Sequence, residues 1–245
     1  GVLIGEWDGG AVLTTHQELT GRVTQMDTPA SLSDHATHVA GTLIASGVDA
    51  AAKGMSYAGT LHAYDWDDDS TEMKNEAAAG LKVSNHSYGL ITGWYNYFGT
   101  WYWFGDPAIS ATEDAGFGYY SEDAWSWDNI TATYPNYLIV KSAGNDRGQG
   151  PAAGTGHYYW DTGVGNWVWS TATRDKDGGA SGYDCITDKG VSKNLLTIGA
   201  VNDIPGGYVN PASVVMSSFS GWGPSDDGRI KPDIVTNGVT LYSSF

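Results

Sequence analysis

The sequence predicts an α/β fold, a parallel sheet with helices packed on both faces, three layers in all. Three observations carry this. Apolar runs of strand length recur at residues 2–7, 61–64, 81–89, 137–145 and 194–201. Segments with helical spacing and polar N-cap residues lie between several of them. Polar or glycine-rich turns end the apolar runs. Strands alternating with helices argue for parallel pairing, and in such sheets sites form at the C-terminal strand ends.

Residues 2–7, VLIGEW, form a buried strand that stops at Asp8-Gly9-Gly10. Residues 11–30 read mostly as loop. Ser33 or Asp34 is placed to cap a helix over 35–47, with Val39, Ala40, Leu43 and Ile44 on one face. LHAY (61–64) is a strand, and the acidic turn DWDDDSTEM (65–73) leads into a helix over about 70–80. LKVSNHSYG (81–89) is a strand ending in a polar turn. A helix near 121–133 and the strand YLIVKSAGN (137–145) follow, then NLLTIGAV (194–201) and a last strand beginning at KPDIV (231–235). Residues 90–120 break the rhythm. They are rich in Gly, Tyr and Trp and read as an insertion folded on itself by aromatic packing. Residues 1–245 are thus expected to make most of one domain, with an aromatic-rich insertion near 90–120. Asp8, Ser87 and Asn145 all fall at strand ends.

Composition narrows the function. With 12 Lys+Arg against 28 Asp+Glu the formal charge is -16, which argues against nucleic acid, whose phosphates need clustered cations. The longest apolar stretches are strand-sized, too short for a membrane span. A single cysteine, Cys185, leaves the compartment unread from disulfides, and packing as a small apolar residue is its simplest role. Glycine at 34, with 11 Trp and 15 Tyr and few lysines, suits a rigid secreted or cell-surface protein, although an acidic cytosolic one has the same composition.

Two of the 6 histidines sit three apart in DHATHVAGT (34–42). A zinc pair on one helix face would need a further ligand and an acid, as in H-E-x-x-H, and Ala36 and Thr37 fill that gap. Ordinary first-turn packing is the second reading. The third is a general base: His35 in the first helical turn meets the positive end of the dipole, which favours a neutral ring able to take a proton. Asp8, at a strand end before two glycines, can orient such a ring, though Asp-Gly-Gly alone is only a turn. Asn145, after Ala143-Gly144, can donate its amide to an oxyanion, or can simply tolerate a left-handed turn.

Taken in order, VLIGEWDGG (2–10), HATHVAGT (35–42), NHSYG (85–89), SAGND (142–146) and DGRIKPDIV (227–235) resemble the motifs of the subtilisin-like serine proteases, the subtilases. The usual histidine motif there is His-Gly-Thr-His-Val-Ala-Gly-Thr, and the family's triad runs in the order Asp, His, Ser. The resemblance implies a subtilisin-like fold and a serine endopeptidase. It implies Asp8 as triad aspartate, His35 as general base, His38 as a structural histidine and Asn145 as oxyanion donor. Ser87, Tyr88 and Gly89 would pair with an extended polypeptide substrate, and Ser142, Ala143 and Gly144 would wall the specificity pocket. It implies no catalytic cofactor and allows structural calcium.

Two departures stand out. Ala36 replaces the glycine after the catalytic histidine, adding one methyl. The family's nucleophile lies in Gly-Thr-Ser-Met-Ala, and no Gly-Thr-Ser occurs in residues 1–245. The serine is therefore expected just beyond residue 245, with the sheet incomplete at its C-terminus and the serine-bearing segment supplied by further sequence or a separate chain. Asp65, Asp67, Asp68 and Asp69 are a dense oxygen cluster without the EF-hand glycine and terminal glutamate, and read as a solvated acidic turn. The alternative function is a non-catalytic peptide- or glycan-binding module, with Trp94, Trp101 and Trp103 as an aromatic platform.

Overall fold

The computed structural model describes residues 1–245. Its main sheet has seven parallel strands: β1 (Leu3–Asp8), β2 (Val23–Gln25), β3 (Thr60–Asp65), β4 (Val83–His86), β7 (Leu138–Ser142), β10 (Leu196–Val201) and β11 (Ile234–Asn237). They lie in the order β11-β10-β7-β4-β1-β3-β2. The chain builds outward from β1 to β3 and β2, then returns to place β4 on the other side of β1. That reversal opens a crevice at the C-terminal ends of β1 and β4, the usual position for a site in an open parallel sheet.

Alternation along β1 divides the core between two layers. Ile4 faces α1 (Asp34–Ile44) and packs with Ala36, Ala40, Ile44 and Leu61. Trp7 faces α2 (Asp69–Ala79) and α3 (Glu122–Thr133) and packs with Met73, Trp127, Ile130 and Ile139. Trp7 is fully buried and stacks on Tyr64 at 4.6 Å and on His86 at 5.2 Å. Losing a buried ring of this size costs about 3–5 kcal/mol. α1 begins where the sequence places its cap, with the Ser33 hydroxyl accepting from Ala36 N, and α3 is capped in the same way by the Ser121 hydroxyl, which accepts from Ala124 N. Each such cap contributes about 1 kcal/mol.

The aromatic insertion does not close on itself. Its hairpin, β5 (Trp94–Tyr97) and β6 (Thr100–Trp103), joins a second hairpin, β8 (His157–Asp161) and β9 (Asn166–Ser170), in a four-stranded sheet ordered β5-β6-β8-β9. β6 and β8 pair in parallel, Tyr102 opposite Tyr158. One face turns inward with Trp94, Trp103 and His157, and the Arg174 guanidinium lies 3.7 Å from the Trp103 ring centre while its Nε donates to His157 Nε2. Trp94 and Trp103 are only 2% and 1% exposed, so neither is available as a binding platform. Half-buried Trp101 meets the edge of Trp94.

Residues 11–30 are less of a loop than expected, since β2 adds an edge strand to β3. Glu18 then anchors the turn after α1. Its carboxylate accepts from Ser46 Oγ and from the amides of Gly47, Val48 and Asp49 at 2.6–3.0 Å. Burial alone would raise its pKa, but these four donors prevail and bring it down to about 2. A depressed carboxylate pKa stabilises the fold above the unfolded value and loses that contribution as pH falls through the folded one. Between roughly pH 6 and pH 2, the wild-type chain is expected to lose about 3 kcal/mol more stability than Glu18→Gln, measured by denaturant unfolding.

Candidate active site

The crevice is built from three strand ends. Asp8 is the last residue of β1 and 2% exposed. The chain then turns at Gly9-Gly10, where side chains are excluded: a Cβ on Gly9 would lie 2.7 Å from the Trp66 ring, and Gly10, at φ +113°, would bring one 2.9 Å from Ser31 O. The tight turn lets Ala11 N donate to Ser31 O and Ser33 N to Ala11 O, while Leu13 N donates to Thr37 Oγ1. These bonds tie the first turn of α1 to the end of β1. His35 consequently meets Asp8, with Nδ1 at 2.7 Å from Oδ1 and 2.8 Å from Oδ2, and Oδ1 also accepts from Gly9 N at 2.7 Å.

His35 hydrogen-bonds through its side chain only to Asp8, and that side chain is 60% exposed, leaving Nε2 unbonded, although neither His35 nor Asp8 lines the cavity between the ends of β4 and β7. The dipole argument for a depressed histidine pKa does not hold. The Asp8 hydrogen bond, aided by its charge, raises the His35 pKa against the opposing effect of partial burial. The magnitudes explain the outcome: a helix terminus contributes about 0.3–1 kcal/mol, a hydrogen bond to a charged partner about 1.5–3 kcal/mol. Two residues before Asp8, Glu6 is fully buried with neither carboxyl oxygen bonded. Burial, reinforced by Asp8, pushes its pKa well up, and neither of its oxygens bonds the histidine.

Across the crevice, Ser87, Tyr88 and Gly89 follow β4, and Ser142, Ala143, Gly144 and Asn145 close β7 and its turn. All seven line one cavity of about 250 Å³. Tyr88 is fixed from below: its hydroxyl donates to Asp69 Oδ2 at 2.7 Å and meets His86 Nδ1 at 3.2 Å, and Lys189 pairs with the same Asp69 oxygen at 2.9 Å. Gly144 adopts φ +88°, turning the chain so that Asn145 is exposed beside the cavity. Two charged residues outside the sequence-predicted site share this cavity, Lys141 and Asp146. A lysine at a buried position of the apolar run LIVKS was the available signal.

The remaining candidates are accounted for differently. His38 lends its carbonyl to Ser243 Oγ at 2.7 Å. Since Asp8 occupies Nδ1 of His35 and no group of three or more His, Cys, Asp or Glu is arranged around a metal position, a zinc pair does not fit. Calcium does not fit the acidic turn either, because Asp69 is committed to Lys189, Tyr88 and Ser70, and Asp65 Oδ1 accepts from Asp67 N. Cys185 is buried, accepting from Trp222 N, and burial pushes its thiol up to about 11. A pH titration of the histidine ring signals by NMR is expected to place His35 above 6.5, and Asp8→Asn to lower it.

The subtilase family model matches residues 9–244. No curated protein matches the chain. Among solved structures it is similar to the S41 psychrophilic protease, at TM-score 0.57 and 20% identity, covering 99% of this chain and 68% of that one. A cold adapted subtilisin-like serine proteinase aligns at TM-score 0.50 and 17% identity, over 100% of this chain and 65% of its own. A serine protease of Aeromonas sobria gives TM-score 0.50 and 18% identity, over 92% and 36%. The chain thus spans about two thirds or less of the length of these structures, whose low identities speak to the fold. With 9–244 matched, a mostly parallel seven-stranded sheet and helices on both faces, the chain belongs to the subtilase family.

Proposed function

We propose that the chain supplies the aspartate, the histidine and the substrate cleft of a secreted or cell-surface serine endopeptidase. The observation that carries this is the Asp8–His35 pair, with Nδ1 held at 2.7 Å and Nε2 unbonded on an exposed side chain. An Nδ1–H tautomer leaves the Nε2 lone pair as a base. The nucleophilic serine lies outside residues 1–245, in further sequence or a separate chain. His35 Nε2 takes its proton as the serine oxygen attacks the substrate carbonyl, then returns that proton to the leaving amine. Asp8 stabilises the imidazolium formed in between. The Asn145 side-chain amide donates to the tetrahedral oxyanion.

An extended polypeptide binds by its main chain along Ser87-Tyr88-Gly89, with one side chain entering between that segment and Ser142-Ala143-Gly144. No cofactor takes part. Supporting secretion, the chain belongs to a family whose members are commonly secreted.

A second reading, a non-catalytic peptide- or glycan-binding module, draws on the outward face of the aromatic sheet, where Tyr95, Tyr97, Trp160 and Trp169 are exposed. A fluorophosphonate separates the two. It is expected to label the active protein on a serine outside residues 1–245, located by mass spectrometry, while failure to label material that degrades protein sinks the serine mechanism. In the labelling-competent protein, Asn145→Ala should lower kcat on the order of 10²-fold or more, a loss known for oxyanion donors of this family rather than one deduced from this cleft.

A further inference from the structure

Lys141 is the one cationic side chain lining the cleft, and the mechanism leaves it unused. It is 4% exposed, near the end of β7, and shares the face of Ile139 that packs toward α3. Its Nζ donates at 3.1 Å to Ser142 O and at 3.1 Å to Ser142 Oγ, both neutral and both on one residue. No carboxylate lies within ion-pair distance, in contrast to the five pairs formed elsewhere. Burial pushes its pKa down only to about 8, so it is charged at neutral pH. Buried ammonium groups are ordinarily paired, and this one keeps a proton without an acceptor.

The position of that proton matters. The ammonium lies under the segment assigned to substrate pairing: it is the only atom within 4 Å of where a Gly89 Cβ would sit, at 3.7 Å. It also lines the cavity between the two walls. The neighbouring charges are otherwise engaged. Lys189 is paired with Asp69, and Asp188 accepts from Ser121. Asp146 shares the cavity, half-buried, without bonding Lys141, and burial raises its pKa to about 6.

We propose that Lys141 sets the primary specificity of the cleft, its ammonium pairing with the carboxylate of a glutamate or aspartate that enters between Tyr88-Gly89 and Ser142-Gly144. This rests on the reading of the cleft as a peptide-binding groove. A neutral or basic side chain would instead seal the ammonium beneath it with only the Ser142 acceptors.

Calorimetric titration of the chain tests this with acetylated tetrapeptide amides that differ only in the residue entering the pocket: Glu, Gln, Leu or Lys. The Glu peptide should bind at least about tenfold more tightly than the Gln peptide, the difference expected for a charge-assisted hydrogen bond. Lys141→Met keeps most of the stem and removes an unpaired charge, and it should bring Glu and Gln within about twofold by loss of that bond. The wild-type comparison decides the matter even if the variant does not fold. Equal Glu and Gln affinities, a preference for Lys through Asp146, or a Glu preference that survives Lys141→Met would each overturn the assignment while leaving the peptide groove intact. Binding of none of the four peptides would overturn the groove reading, and the assignment with it.

Discussion

The hydrogen bond between His35 and Asp8 joins residues 27 apart in sequence, and the arrangement of the crevice depends on how the chain brings them together. Neither side chain could reach the other from an arbitrary strand and helix. A parallel sheet puts Asp8 at the C-terminal edge, where β1 ends and the reversal of strand order leaves space beside β4. The Gly9-Gly10 turn then folds the chain back closely enough for Ala11 to bond with Ser31 and Ser33, so the first turn of α1 arrives above the carboxylate. The cap at Ser33 and the Thr37 hydroxyl hold that turn in register. Geometry thus precedes electrostatics, and the Asp8 bond then overrides the helix terminus in setting the charge preference of the ring.

The opposite wall depends on packing beneath the sheet. Trp7 stacks on His86, and Trp127 packs against the same ring at a tilt, in an aromatic cluster between β1, β4 and α3. His86 is a core residue rather than a titrating one, because burial brings its pKa down to about 3, and its Nε2 is bonded to Ser84 Oγ at 2.8 Å. Its other nitrogen meets the Tyr88 hydroxyl, so the segment that follows β4 is anchored from the core outward through Asp69 to Lys189. The cleft therefore has two rigid walls, one set by a turn and one by an aromatic cluster.

Much of this was legible in the sequence, for identifiable reasons. β1, α1, β3, α2, β4, α3, β7 and β10 each carry a local signal, an apolar run, a hydroxyl cap or, for α2, an acidic turn, and their bounds fall close to the expected ones. Asp8, His35 and Asn145 stood out because each combines a strand or helix end with small neighbours. The aromatic sheet was not legible, since the pairing of β6 with β8 links segments more than 50 residues apart and nothing local encodes it. β2 is three residues long and owes its form to β3. Lys141 and Glu6 were hidden by the same circumstance: each is a charged residue type inside an apolar strand run, and only the structure distinguishes a side chain lining a cleft from one sealed in the core without a partner. The rise in the His35 pKa also needed the structure, because it depends on a 2.7 Å contact rather than on position in a helix.

On the proposed mechanism, Asp8 holds His35 as the Nδ1–H tautomer and leaves Nε2 as a base. Long-range nitrogen–proton correlation NMR on the selectively labelled ring, at a pH where it is neutral, reads this directly. The expected result is a protonated Nδ1 and an unprotonated Nε2, with Asp8→Asn mixing the two tautomers. A ring carrying its proton on Nε2 in the wild-type chain would contradict it.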